Sequence, residues 1–167
     1  MNNELTNQDI QIMQQELDHL RLQVLPDAIE EVKRTRAFGD LSENYEYKAA
    51  KQAQNACKKR IRYLERMIRT AKVIEVEAEE DAVSLFDKVT IYNEMVKKEM
   101  NIQIVTTLRQ DVLKGLVSKE SPVGKALMGH KVGDRVQVEV SPDMKYFVEI
   151  RSIEKGEDDA SMEISSY

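Results

Sequence analysis

The sequence predicts an α+β protein in two parts: an N-terminal antiparallel helical coiled coil over residues 1–77, and a small antiparallel β domain with one short helix over 78–167. Three observations predict it. Apolar residues recur three and four apart from Ile10 to Ala71, interrupted at Pro26 and Gly39. From Val89 to Ile150 the period changes to two, as in half-buried strands. Between the two patterns lies an acidic stretch, Glu75 to Asp81, which reads as a domain boundary.

In the first arm, Ile10, Met13, Leu17, Leu20 and Val24 form the seam of a helix that packs on another helix. Thr6 and Asp9 have the spacing of an N-terminal cap. Pro26 lacks an amide hydrogen and crowds the turn before it, so a kink or brief break is expected there. Ile29 and Val32 resume the pattern toward Phe38, and Gly39 ends it. A second seam follows in Ala50, Cys57, Ile61, Leu64, Ile68 and Ala71, with Ala49, Ala53 and Ala56 beside it to admit a close neighbour. Each arm of about thirty residues would be about 45 Å long. A short connection makes arms of matching length antiparallel, which puts the Gly39–Asp40 turn at the far end of a rod.

In the second half the alternating sets are Val89 and Ile91; Ile102 and Ile104; Val136, Val138 and Val140; and Tyr146, Val148 and Ile150. Ser121-Pro122 opens a short helix through Ala126 and Leu127, with proline at a first-turn position where its missing N–H costs nothing. Gly133-Asp134 makes the turn into the next strand. The tail after Lys155 is rich in acids and is expected to fray.

Charge narrows the function classes. The net charge of -5 argues against a protein that coats nucleic acid indiscriminately. Charge is nevertheless sorted along the chain: between Lys48 and Lys72 nine cations face the single acid Glu65, while the tail carries Glu154, Glu157, Asp158, Asp159 and Glu163. Cys57 is the one cysteine, so no internal disulfide can form and a reducing cytoplasm is expected. No stretch approaches the ~20 apolar residues of a membrane span, and no membrane partner is expected.

Two groups of residues could carry chemistry. Asp40, Glu43 and Glu46 recur every three residues, which clusters carboxylates on one side of a helix start. Such oxygen donors suit Mg²⁺, which takes one or two protein carboxylates and fills its shell with water and phosphate oxygens. The same spacing is that of a capping box, with Asp40 accepting backbone N–H groups and Glu43 reaching back, so both readings stand. Lys51, Lys58, Arg62 and Arg69 lie one position past seam residues, and with Arg66, two past Leu64, they form a stripe that could follow a phosphate backbone. The competing reading is a coiled-coil flank paired with Glu16, Glu30 and Glu31 of the other arm. His19 and His130 lack ligand partners at zinc spacing, and Cys57 sits on the seam as a structural thiol.

The segment Arg36-Ala37-Phe38-Gly39-Asp40-Leu41-Ser42-Glu43-Asn44-Tyr45-Glu46-Tyr47-Lys48-Ala49-Ala50-Lys51 resembles the tip signature of the GreA/GreB family. Ser121-Pro122-Val123-Gly124-Lys125-Ala126-Leu127-Met128-Gly129-His130-Lys131-Val132-Gly133-Asp134 is similar to that family's C-terminal motif. The two lie in the family's order, so the resemblance covers nearly the whole chain. It implies an FKBP-like C-terminal domain that docks at the mouth of the RNA polymerase secondary channel, with Ser121, Pro122, Gly124 and Gly129 in the docking motif. It also implies a coiled coil that runs down the channel to the nascent RNA 3′ end. There Asp40 and Glu43 would be the catalytic acids, helping to hold a second Mg²⁺ that is shared with polymerase, while no cofactor is bound in isolation. The implied protein is a cytoplasmic monomer that stimulates cleavage of backtracked RNA by polymerase and is not itself an enzyme.

The resemblance leaves an alternative, a divergent regulator that occupies the channel and modulates or inhibits polymerase without strong cleavage. A prolyl isomerase would need an aromatic-lined apolar pocket, and the C-terminal half has no Trp and few aromatic residues. A coiled-coil scaffold whose tip acids only cap a helix is the third rival.

Overall fold

The computed structural model describes residues 3–39 and 44–164. The chain is divided into two compact units, one of Met1–Asn3 with Ile10–Ala71, the other of Glu4–Asp9 with Lys72–Tyr167. The division falls at Ala71 and Lys72, ahead of the acidic stretch, and Glu4–Asp9 belong with the C-terminal half.

The first unit is the helical hairpin. Its first arm contains α1 (Asn7–His19), a π-helical turn (Leu20–Val24) and α2 (Leu25–Arg36). The π turn answers the expectation of a kink at Pro26. Proline cannot donate, and its ring crowds the carbonyl four residues back. The chain absorbs this by widening one turn, so that the Leu25 N–H reaches back five residues to the Leu20 carbonyl and the helix continues. The second arm is α3 (Tyr45–Thr70), 26 residues and therefore about 39 Å long.

Met13, Leu17 and Val32 of the first arm are buried, as are Ala50, Cys57, Ile61, Leu64 and Met67 of the second. Each fully buried large apolar side chain contributes about 1.5–3 kcal/mol, so this seam holds the hairpin together. Polar contacts bind its flanks. Arg60 makes a two-pronged pair with Glu16 at 2.7 and 3.0 Å, and Arg21 pairs with Glu65. The seam is shifted from its expected course at one end, where Met67 is buried and Ile68 only half-buried.

The second unit takes in most of β1 (Asn3–Leu5) and β2 (Ala71–Val73), which pair with each other. Thr6 and Asp9 form the expected capping box before α1: the Thr6 N–H donates to Asp9 Oδ2 at 3.0 Å and the Asp9 N–H to Thr6 Oγ1 at 3.2 Å. The main sheet has β3 (Lys88–Asn93), β4 (Lys98–Val105), β5 (Leu116–Ser118), β6 (Arg135–Ser141) and β7 (Met144–Glu154) in the order β5-β4-β3-β7-β6. The expected α+β class holds, with one correction to the antiparallel sheet. The β3–β4, β3–β7 and β6–β7 pairs are antiparallel, whereas β4–β5 is parallel, so the sheet is mixed. The reason is that β5 is three residues long, too short for alternation to reveal it, and arrives through two turns of 3₁₀ helix (Thr107–Arg109 and Val112–Lys114).

The period-two residues are the core. Val89, Ile91, Ile104, Val138, Val148 and Ile150 are all buried, and Leu127 from α4 (Pro122–Leu127) is fully enclosed with them. Gly156, Asp158 and Asp159 of the tail are bonded to the rest of the unit. The Gly156 N–H donates to Asp87 Oδ1 at 3.1 Å, and Asp158 pairs with Arg109 at 2.6 Å. Acids that look solvated in sequence find their cation about fifty positions away.

Candidate functional site

The tip of the hairpin is built from the ends of α2 and α3. Asp40 and Glu43, the predicted catalytic and metal-holding acids, lie outside the described residues. The structure does settle where α3 begins. Its N-cap is Asn44, whose side-chain oxygen accepts the Tyr47 N–H at 3.0 Å, so the cap lies four residues beyond Asp40. The Asn44 amide also donates to the Thr35 carbonyl at 2.7 Å, which ties the end of one arm to the start of the other. Sequence reading missed Asn44, although Asn is among the strongest N-cap residues and three positions separate it from Tyr47.

Aromatic side chains flank the tip. Phe38 is 59 % exposed and Tyr45 81 % exposed. Each carries a neighbouring cation, Arg34 at 5.3 Å from the Phe38 ring and Lys48 at 5.5 Å from the Tyr45 ring. Arg36 lies 5.7 Å from the Tyr47 ring and donates to its hydroxyl at 3.4 Å, which holds the phenol below its ordinary pKa. On the preceding turn the Arg34 guanidinium holds the Glu31 carboxyl below the usual glutamate value.

The stripe lies along α3 as expected. Lys58, Arg62 and Arg66 are exposed and Lys51 is half-buried. Among the described residues none of the four takes part in an ion pair; Lys51 donates to Gln54 and Arg66 rests against the Tyr63 ring. The acids expected to pair with them are engaged elsewhere. Glu30 and Glu31 bond within their own helix to Lys33 and Arg34, and Glu16 takes Arg60 in place of Arg62. Burial pushes the Cys57 thiol up, as suits a structural position in the seam.

In the C-terminal motif every predicted docking residue has a local task. Ser121 caps α4 by accepting the Gly124 N–H at 3.0 Å, and Pro122 occupies the first turn. Gly124 is buried, and a Cβ there would lie 2.2 Å from the Ser118 carbonyl oxygen. Gly129 has φ +77° and donates to the Val83 carbonyl at 2.9 Å. Pro122 and Gly129 remain exposed.

Comparison with known proteins covers most of the chain. Residues 3–73 match the profile described as transcription elongation factor, N-terminal, and residues 70–155 the one described as transcription elongation factor, GreA/GreB, C-term. Transcription elongation factor GreA of Thermoanaerobacter pseudethanolicus is 42% identical over 137 residues, 81% of this chain and 87% of that protein. The GreA of Mesoplasma florum is 39% identical over 150 residues, 89% of this chain and 96% of that protein. The crystal structure of GreA factor homolog 1 from Thermus thermophilus is 25% identical, with a TM-score of 0.43, over 93% of this chain and 100% of that one. With both halves matched and relatives near 40% identity over most of the length, the chain belongs to the GreA/GreB family of transcription elongation factors.

Proposed function

We propose that this elongation factor rescues arrested transcription by binding RNA polymerase through its secondary channel and stimulating cleavage of backtracked RNA. The observation that carries the reading is the position of the α3 cap. Asn44 accepts the Tyr47 N–H in the first turn of α3, which supports a role for Asp40 other than capping that helix. Asp40 and Glu43 stand in the sequence between the two arms, and two carboxylates are a number and type of oxygen donor that suit Mg²⁺. Asp40 and Glu43 are the residues that would hold it, and the ion would supply Lewis acidity and an activated water. Hydrolysis belongs to polymerase, and this chain contributes the acids and their delivery.

The stripe of Lys51, Lys58, Arg62 and Arg66, none of them in an ion pair among the described residues, supports contact with the backtracked RNA, because such cations lower the free energy of a nearby phosphate backbone. Exposed Phe38 and Tyr45 beside the tip fit a surface that works inside a partner. The C-terminal domain, with Pro122 and Gly129 displayed, is the docking part. The protein acts as a cytoplasmic monomer with polymerase and the nascent RNA 3′ end as its partners.

The test is addition of purified protein to a stalled, backtracked elongation complex carrying end-labelled RNA. Release of short 3′ fragments is expected. Binding without release would identify the protein as a channel-occupying regulator instead, and absence of binding would reject both.

A further inference from the structure

Arg109 is a fully buried cation, and two segments from opposite ends of the chain converge on it. Its Nε donates to Asp9 Oδ1 at 2.6 Å, while its Nη1 lies 2.6 Å from Asp158 Oδ1 and donates to the Asp159 carbonyl at 3.1 Å. Its planar group lies 5.0 Å from the centre of the Phe86 ring. Phe86 has φ +72°, which is uncommon for a bulky residue and is retained only where the surroundings over-determine it. That backbone conformation also meets the tail, since a Cβ on Gly156 would lie 1.9 Å from the Phe86 carbonyl oxygen. Glycine there lets the chain turn in against Phe86 and carry Asp158 to Arg109.

The tail also grips the N-terminal segment directly. Thr6 Oγ1 donates to Asp158 Oδ2 at 2.8 Å. Gln8, with its amide oriented to meet donors and acceptors, donates to the Asp158 carbonyl at 2.9 Å and accepts the Ala160 N–H at 3.2 Å. Met162 packs against the core beyond these contacts. The C-terminal family match ends at residue 155, so all of these tail contacts come from a segment outside the common pattern.

We propose that Gly156–Met162 is a detachable strap that locks Glu4–Asp9, the root of the first arm, onto the C-terminal domain, with Arg109 as the buried catch. The strap can open without stranding a charge. Arg109 keeps Asp9, which is fully buried, whereas Asp158 has 20 % of its side chain exposed and meets water as it leaves. Opening removes the Thr6, Gln8 and Arg109 contacts together and lifts Met162 from the edge of the core, so the root gains freedom in one step while the cross-strand bonds of the sheet stay closed.

Native-state hydrogen exchange on the full chain tests this, compared with Asp158→Asn and with a chain ending at Lys155. The readouts are the Thr6 amide and the Ile74 amide, which donates to the Leu5 carbonyl, set against the amides of Ile91 and Ile150 in the sheet. Removing the strap is expected to speed exchange at Thr6 and Ile74 by about tenfold or more, with Ile91 and Ile150 within about twofold. Asp158→Asn, which keeps a hydrogen-bonding group but loses the charge, is expected to fall between. Unchanged exchange at Thr6 and Ile74 in both variants would overturn the proposal. So would an equal rise at all four positions, which would make the tail a general stabiliser; Asp158→Asn keeps that comparison available if the shortened chain does not fold.

Discussion

Asn44 and Thr35 are joined by a side-chain to backbone hydrogen bond of 2.7 Å that closes the hairpin across its connection. One side chain therefore does two things, since its oxygen also caps α3 through the Tyr47 N–H. Asn44→Ala is expected to lose about 1 kcal/mol for the cap and a further ~1 kcal/mol for the Thr35 bond. Asn44→Asp keeps the cap and loses the bond to Thr35, so it should lie between. Thermal melting and exchange of the Tyr47 amide would check both. Wild-type exchange at Tyr47 in the alanine variant would mean that the cap contributes nothing.

Asp40→Asn and Glu43→Gln separate chemistry from architecture. With Asn44 as the cap of α3, neither change is expected to lower stability by more than about 0.5 kcal/mol. Polymerase binding should be near normal, with cleavage stimulation reduced by about a hundredfold or more and partly restored by raised Mg²⁺ or Mn²⁺. Melting temperature, competition for polymerase and fragment release on the same preparations decide it. A bound variant that cleaves at the wild-type rate removes that residue from the metal-holding role.

Replacing Lys58, Arg62 and Arg66 together with Ala should leave the hairpin folded, because none of the three is in an ion pair among the described residues. Stimulation on long backtracked RNA should fall more than on RNA backtracked by a few nucleotides, and its dependence on salt should become shallower by up to about 0.7 per lost phosphate contact. Equal loss on both substrates with unfolding would assign the stripe to the flank of the coiled coil.

Glu4 bonds to Lys119 and to Lys72, and these contacts hold its carboxyl below the ordinary glutamate value of 4.5. A folded-state pKa lower than the unfolded one contributes stability that is fully present above pH 4.5 and disappears as pH falls through the lower folded value. The difference in melting temperature between the wild type and Glu4→Gln should therefore be widest above that pH and close in stronger acid. A gap that stays constant with pH would assign the effect of Glu4 to packing instead of charge.

Much of the fold was legible because it is local or periodic. Met13, Leu17, Ile61 and Leu64 fall on the seam their spacing marks, and Val89, Ile91, Val138 and Val148 fill the core as their alternation requires. The capping box of Thr6 with Asp9 and the N-cap bond from the Gly124 N–H to Ser121 work through atoms three residues apart, so the sequence carries them whole. The family, too, was readable from two contiguous motifs.

What the tertiary structure decided is pairing between distant positions. Arg109 gives no periodic signal, and only the fold brings it to Asp9 and Asp158, one hundred and forty-nine positions apart from each other. Spacing alone could not choose between Asp40 and Asn44 as the helix start, because both are good caps and the choice rests on the Thr35 carbonyl at the end of the other arm. The stripe was visible in sequence, but its freedom from Glu16, Glu30 and Glu31 follows from where those acids point once the arms are packed. Charges select partners through space, and chain order encodes that space only after the hairpin and the sheet have closed.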